Sequence, residues 1–184
     1  MRWILLAFLE GMMRRQVLFC VETNKRANTD YRYILSTIDR YYDTSDRQVS
    51  YKPIFLESKT KYKDRGKIKE INSFVKNFKG NTAVVYCIDF DDSDRNPETR
   101  QLFHSIREFC DSQGYEFVFF NRDVEDVFWG ETVNDKDKVA KADQFVRKKM
   151  IDVIEESILR DETEKKRHYS NLLNVLDRYF KKKG

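Results

Sequence analysis

Apolar and polar positions along the chain keep two alternating rhythms. Gln16-Val17-Leu18-Phe19-Cys20-Val21 and Thr82 to Ile88 are nearly continuous apolar runs, the pattern of strands buried on both faces of a sheet. Tyr51 to Glu57 and Tyr115 to Phe120 repeat it, and Pro53 places the former near a sheet edge. Between the runs, apolar residues recur at helical spacing. Ile34, Ile38, Tyr41 and Tyr42 mark a first helix, capped by Asn28 or Thr29. Ile68, Ile71, Val75 and Phe78 mark a second, ended by Gly80. Leu102, Phe103, Ile106, Phe109 and Cys110 mark a third, opened by Asn96-Pro97-Glu98 and stopped at Gly114. The order βαβαβαβ predicts an α/β fold of Rossmann-like type, about four mostly parallel strands flanked by helices. From about residue 136 the pattern is helical: Val139, Ala142, Phe145, Val146, Val153 and Ile154 form one stripe, and Leu172, Leu173, Leu176 and Phe180 another. The expected organisation is an N-terminal extension (1–15), an α/β domain (16–132) and a C-terminal helical extension (133–184).

Chemistry gathers where strands end. The run Val84 to Ile88 breaks into Asp89-Phe90-Asp91-Asp92-Ser93-Asp94. Residues i and i+2 of an extended chain project to one side, so Asp89 and Asp91 are expected together at the C-terminal, ligand-binding edge of the sheet. Two carboxylates about 4 Å apart repel by roughly 4 kcal/mol at an effective dielectric near 20, so such a pair invites a divalent cation. Oxygen-only ligands favour Mg²⁺ or Mn²⁺ over zinc. Asp92 and Asp94 read instead as a solvated turn. Glu22 closes the first strand as Asp89 closes the third; if those strands are neighbours, Glu22, Asp89 and Asp91 meet. After the fourth strand, Asn121-Arg122-Asp123-Val124-Glu125-Asp126-Val127-Phe128-Trp129 reads as a short helix with its rings inward. Glu125 or Asp126 then either joins the acids as a further metal ligand or lies at the surface.

Charge adds a second candidate. Of 35 basic and 31 acidic residues, 14 basic and 10 acidic fall in 133–184, so the whole net charge of +4 lies there. Lys59, Lys61, Lys63, Arg65, Lys67 and Lys69 place a cation at every second position. An extended ribbon would align them on one face to track phosphates, with Tyr62 stacking on a base; the alternative is a solvated loop. The three cysteines, Cys20, Cys87 and Cys110, lie in apolar surroundings and read as buried thiols of a reducing cytoplasm. Two histidines, His104 and His168, both on predicted helices, argue against a histidine-based metal site or triad. Trp3 to Leu9 is apolar but too short to span a bilayer, which points away from a membrane protein. That segment is either an upstream mis-start or a short helix packed on the body or a partner. No glycine-rich phosphate loop or Gly-x-Ser-x-Gly elbow is present.

Strand–Glu22 followed by strand–Asp89-Phe90-Asp91 resembles the Toprim domain of topoisomerases, primases and OLD-type nucleases. The resemblance is nearest to the small RloB-like branch. Thr29-Asp30-Tyr31-Arg32-Tyr33 and Glu125-Asp126-Val127-Phe128-Trp129 resemble its helix start and its late acid-plus-aromatic segment. The likeness covers roughly residues 16–130. It implies that Asp89 and Asp91 hold Mg²⁺ or Mn²⁺, and that Glu22 binds metal or moves a proton during phosphodiester hydrolysis on DNA or RNA, in defence or repair. A separate ATPase partner and a homodimer through the C-terminal helices are further expectations. Two other readings stand beside the nuclease. One is a non-catalytic nucleic-acid or protein-binding module on the same fold. The other is a haloacid-dehalogenase-like phosphatase using Asp89-x-Asp91.

Overall fold

The computed structural model describes residues 14–45, 48–90, 96–163 and 167–184. Strands β1 (Arg15–Val21), β2 (Val49–Phe55), β3 (Asn81–Asp89) and β4 (Glu116–Phe120) form one sheet in the order β2-β1-β3-β4. Every pairing is parallel: Val21 lies opposite Phe55 on one side and Cys87 on the other, and Asp89 lies opposite Phe120. Parallel neighbours need crossovers, and helices supply them. α1 (Thr29–Tyr41) joins β1 to β2, α2 (Arg65–Asn77) joins β2 to β3, and α3 (Pro97–Gln113) joins β3 to β4. The four-stranded parallel α/β fold expected from the apolar rhythm is the fold observed.

Strand alternation divides the core in two. Val17, Phe19, Val21, Val85 and Cys87 face α1 and the C-terminal third of the chain. Leu18, Cys20, Val84, Tyr86 and Ile88 face α2 and α3. The first connection leaves β1 in one direction and the next returns past it to β3. Strand order therefore reverses between β1 and β3, and the loops after them splay apart to leave a crevice at their carboxyl ends.

Local chemistry fixes the helix ends. Asn96 Oδ1 accepts from the amides of Glu98 (3.0 Å) and Thr99 (3.3 Å), Pro97 opens α3, and Gly114 ends it in the left-handed region at φ 66°. Asn28 precedes α1 but caps it without a side-chain hydrogen bond. Pro53 does lie on an edge strand, where its missing N–H breaks no ladder.

Beyond β4 come α4 (Val124–Trp129), α5 (Lys138–Arg147) and α6 (Leu172–Leu176), linked by 3₁₀ turns at Met150–Val153 and Glu156–Leu159. This segment is less helical than its apolar stripes predict. Lys149 takes φ 50°, which halts α5, and the later backbone bonds to the sheet instead. Ser170 bridges Phe120 in antiparallel fashion, and the Asn121 amide donates to Tyr169 O at 2.9 Å. Asn171 bonds the open side of β4 through both ends of its amide, to Phe117 O and from Phe119 N, each at 3.0 Å. Leu172, Leu173 and Leu176 are fully buried against the same layer. His168, expected on a helix, sits in a turn at φ 65° and faces Asp126. Among the described residues no helix is long and apolar enough to cross a membrane.

Candidate acidic centre

The reversal of strand order brings Glu22 and Asp89 to one edge. β1 and β3 are parallel neighbours with Val21 opposite Cys87, so Glu22, just past β1, and Asp89, the last residue of β3, come out side by side. Glu22 Oε1 accepts the Asp89 amide at 2.7 Å, and Asp89 Oδ1 accepts the Val124 amide at 3.0 Å. One chain of hydrogen bonds thus ties the ends of β1 and β3 to the start of α4. Lys59 Nζ donates to the Asp89 carbonyl at 3.1 Å from the opposite side. Asp91 lies outside the described residues, as do Asp92 and Asp94.

Three further carboxylates surround this pair. Asp30, on the first turn of α1, is buried; its Oδ2 accepts the Thr23 amide at 3.1 Å and its Oδ1 faces the Thr29 hydroxyl at 3.2 Å. Asp123 caps α4, accepting from the Asp126 amide at 2.7 Å through Oδ1. Glu125 is 1% exposed. Its Oε2 meets Lys138 Nζ at 3.1 Å, and its Oε1 has no hydrogen-bond partner among the described residues. Lys138 also meets Asp123 Oδ2 at 3.4 Å. An ionised carboxylate oxygen buried without a donor costs free energy that a bound cation would offset.

The acids perturb one another. Burial, then the charges of Glu22, Asp30, Asp123 and Glu125, hold the Asp89 carboxyl well above the usual range. Burial raises Asp30 too, against the opposing pull of the Thr23 amide. Burial pushes Glu125 up to about 7 even though Lys138 pulls it down. For Lys138 itself burial acts downward, but Glu125 and Asp123 outweigh it, so its proton is held more tightly than usual. Desolvation and like-charge repulsion together mark a cluster of acids that the Lys138 ammonium only partly neutralises.

The donors are all oxygens, and one of them lacks a partner, so the residues present fit a hard divalent cation. Among the described residues no three Asp, Glu, His or Cys side chains already surround one ion-sized point. Each carboxylate has a donor of the protein: the Asp89 amide for Glu22, the Val124 amide for Asp89, the Thr23 amide for Asp30, and Lys138 for both Asp123 and Glu125.

The acid-rich segment after β4 resolves into two directions. Glu125 turns toward Asp89 and Lys138. Asp126 turns away, to Arg167 at 3.1 Å and His168 at 2.6 Å. Phe128 and Trp129 pack inward as expected: Phe128 stacks on Tyr33 with ring centroids 5.0 Å apart, and Trp129 Nε1 donates to the Tyr33 hydroxyl at 3.0 Å.

The lysine ribbon does not form. Lys59–Lys61 is a 3₁₀ turn, and α2 begins at Arg65, capped by Asp64 through the amides of Gly66 and Lys67. Helical turns scatter the alternating cations over different faces. Lys61 and Lys67 reach Glu57 at 2.7 and 3.5 Å, and Lys63 lies over the Tyr62 ring. Tyr62 is buried against Phe109, so it belongs to the core and offers no base-stacking face. Of the six cations, Lys59 is the one shown reaching the acidic centre. The three cysteines are buried and free, and burial raises all three thiols, leaving them inert.

Asp30, Asp123 and Lys138 are members of the centre that strand-end reasoning did not single out as site residues. Asp123 had a usable signal, an acid just past a strand, as with Glu22 and Asp89. Asp30 stands in the Thr29-Asp30-Tyr31-Arg32-Tyr33 helix start, but its place there does not tell a capping acid from a member of the centre. Lys138 carries no signal, being one lysine in a charged segment. No protein-family profile, curated protein or solved structure matches this chain.

Proposed function

We propose that this chain hydrolyses phosphodiester bonds in nucleic acid with the help of Mg²⁺ or Mn²⁺, at the acidic centre between the ends of β1 and β3. The observation that carries the reading is the gathering of Glu22, Asp30, Asp89, Asp123 and Glu125 at the carboxyl edge of a parallel sheet, with Glu125 Oε1 left without a partner among the described residues. Glu22, Asp89 and Glu125 are the side chains that would hold the ion. The ion would supply charge for a phosphoryl oxygen and lower the pKa of water. The chain's own residues do the rest. Asp89 Oδ1 holds the start of α4 in place through the Val124 amide, and Glu22, fixed by the Asp89 amide, is placed to take up a proton. Lys59 stands at the rim, where a phosphate would meet a cation before it meets the acids.

Cleavage assays on a panel of single- and double-stranded DNAs and RNAs, with Mg²⁺, Mn²⁺ or EDTA, test the proposal. Metal-dependent cleavage that falls at least about a hundredfold in Asp89→Asn supports it. Cleavage that survives EDTA, or is equal in Asp89→Asn, refutes it. The non-catalytic binding module stays in view for one reason: among the described residues no three acids surround a common point. Salt-sensitive binding without cleavage of any substrate would favour that reading.

A further inference from the structure

Lys138 is delivered to the acids by a firmly anchored element. Further along α5, Phe145 packs edge-on against Tyr33 and Phe128, with centroids 4.9 and 5.5 Å away. Lys141 lies over the Trp129 ring and pairs with Glu131, and Asp143 pairs with Arg32 across to α1. The Lys138 side chain, 25% exposed, points its ammonium at Glu125 Oε2, Asp123 Oδ2 and Asp135 Oδ1, at 3.1, 3.4 and 3.7 Å. Asp135 is fully exposed, so the two covered carboxylates dominate. The ammonium occupies one side of Glu125, and the partnerless Oε1 lies on the other.

We propose that Lys138 is a tethered counter-cation that holds Asp123 and Glu125 together when no divalent ion is bound and competes with that ion when it arrives. This rests on the divalent-cation reading of the centre. An ammonium fixed to the scaffold is always present at high local concentration, so it shields the acids at any external ion level. The same charge repels a divalent ion bound to Glu125 Oε1. Lys138 therefore sets the affinity of the centre as a positioning residue, trading tight ion binding for a stable ion-free state.

The test uses the full chain, with Mn²⁺ as probe, at about pH 8.5, where Glu125 is ionised. Wild type, Lys138→Met, Lys138→Gln and Lys138→Arg are titrated by calorimetry, and their melting is followed in EDTA. The expected result is a lower melting temperature in EDTA for the Met and Gln variants, with Mn²⁺ binding at least about tenfold tighter than in wild type. Lys138→Arg keeps the charge and should stay within about threefold of wild type. A merely structural lysine would lower melting without tightening Mn²⁺ binding. If Lys138→Met does not fold, Lys138→Gln, which still offers a hydrogen-bond donor to both carboxylates, decides. Wild type that binds Mn²⁺ while the neutral variants bind no tighter overturns the inference alone. Wild type and all variants failing to bind Mn²⁺ overturns the cation reading itself, and this inference with it.

Discussion

Glu125→Gln should change how stability depends on pH, in a direction the structure dictates. Glu125 is 1% exposed and its carboxyl rises from 4.5 to about 7 in the folded chain, by burial first and then by Asp30 and Asp123, against Lys138. The folded state therefore holds this proton more tightly than the unfolded state. Raising the pH above about 4.5 strips the unfolded chain first, so stability falls until the pH passes about 7, and then levels. At about 1.4 kcal/mol per pH unit, that rise corresponds to roughly 3 kcal/mol lost across the window. Glutamine keeps the shape, still accepts a hydrogen bond from Lys138, and cannot ionise. The variant should match wild type near pH 4.5 and exceed it by up to about 3 kcal/mol at pH 8.5, about 6–12 °C in melting temperature for a chain of this size. Asp30 and Asp89 are raised in the same sense, so a reduced slope remains in the variant. Urea unfolding in EDTA from pH 4.5 to 8.5 measures both. Parallel pH profiles for the two proteins would refute the picture of a buried, under-neutralised Glu125.

Two further outcomes test the scaffold. Phe145→Ala removes a fully buried ring packed against Tyr33, Phe128 and Trp129, and should cost about 3–5 kcal/mol by chemical denaturation; a loss under 1 kcal/mol would mean α5 is not anchored there. Gly80→Ala would drive a Cβ into the Arg14 carbonyl oxygen, where β3 starts beside β1. Backbone cannot yield there, so a loss of about 2 kcal/mol or more is expected, and a neutral substitution would place the β1–β3 start differently.

Much of the fold was legible because it rests on period alone. Val17 to Val21 and Val84 to Ile88 are apolar on both faces, and only a covered parallel sheet buries both. The Asn96-Pro97 start and the Gly114 stop of α3 are local signals that tertiary contacts had no cause to override. The pairing of Glu22 with Asp89 was legible for the same reason, since neighbouring parallel strands in register end together. The lysine ribbon misled because alternation on paper assumes an extended backbone. Ser58 and Asp64 cap turns there, accepting from Thr60 N and from Gly66 N and Lys67 N, and helix won. Asp126 and Glu125 could not be told apart by spacing, because one helical residue rotates a side chain by about 100°. Lys138 was invisible because its role depends on where α5 docks, a matter of Phe145 meeting rings from α1 and α4.

The fastening of the C-terminal segment along β4 bears on how copies of this chain can meet. A parallel sheet with open edges invites another chain to add a strand. On one edge, Asn171, Ser170 and Tyr169 already occupy backbone groups of β4 and the residue after it. On the other, Pro53 leaves β2 without one of the donors an incoming strand would need. Both rims are thus poor templates for strand exchange. Self-association, if the chain undergoes it, is steered to the helical faces and away from the two rims of the sheet.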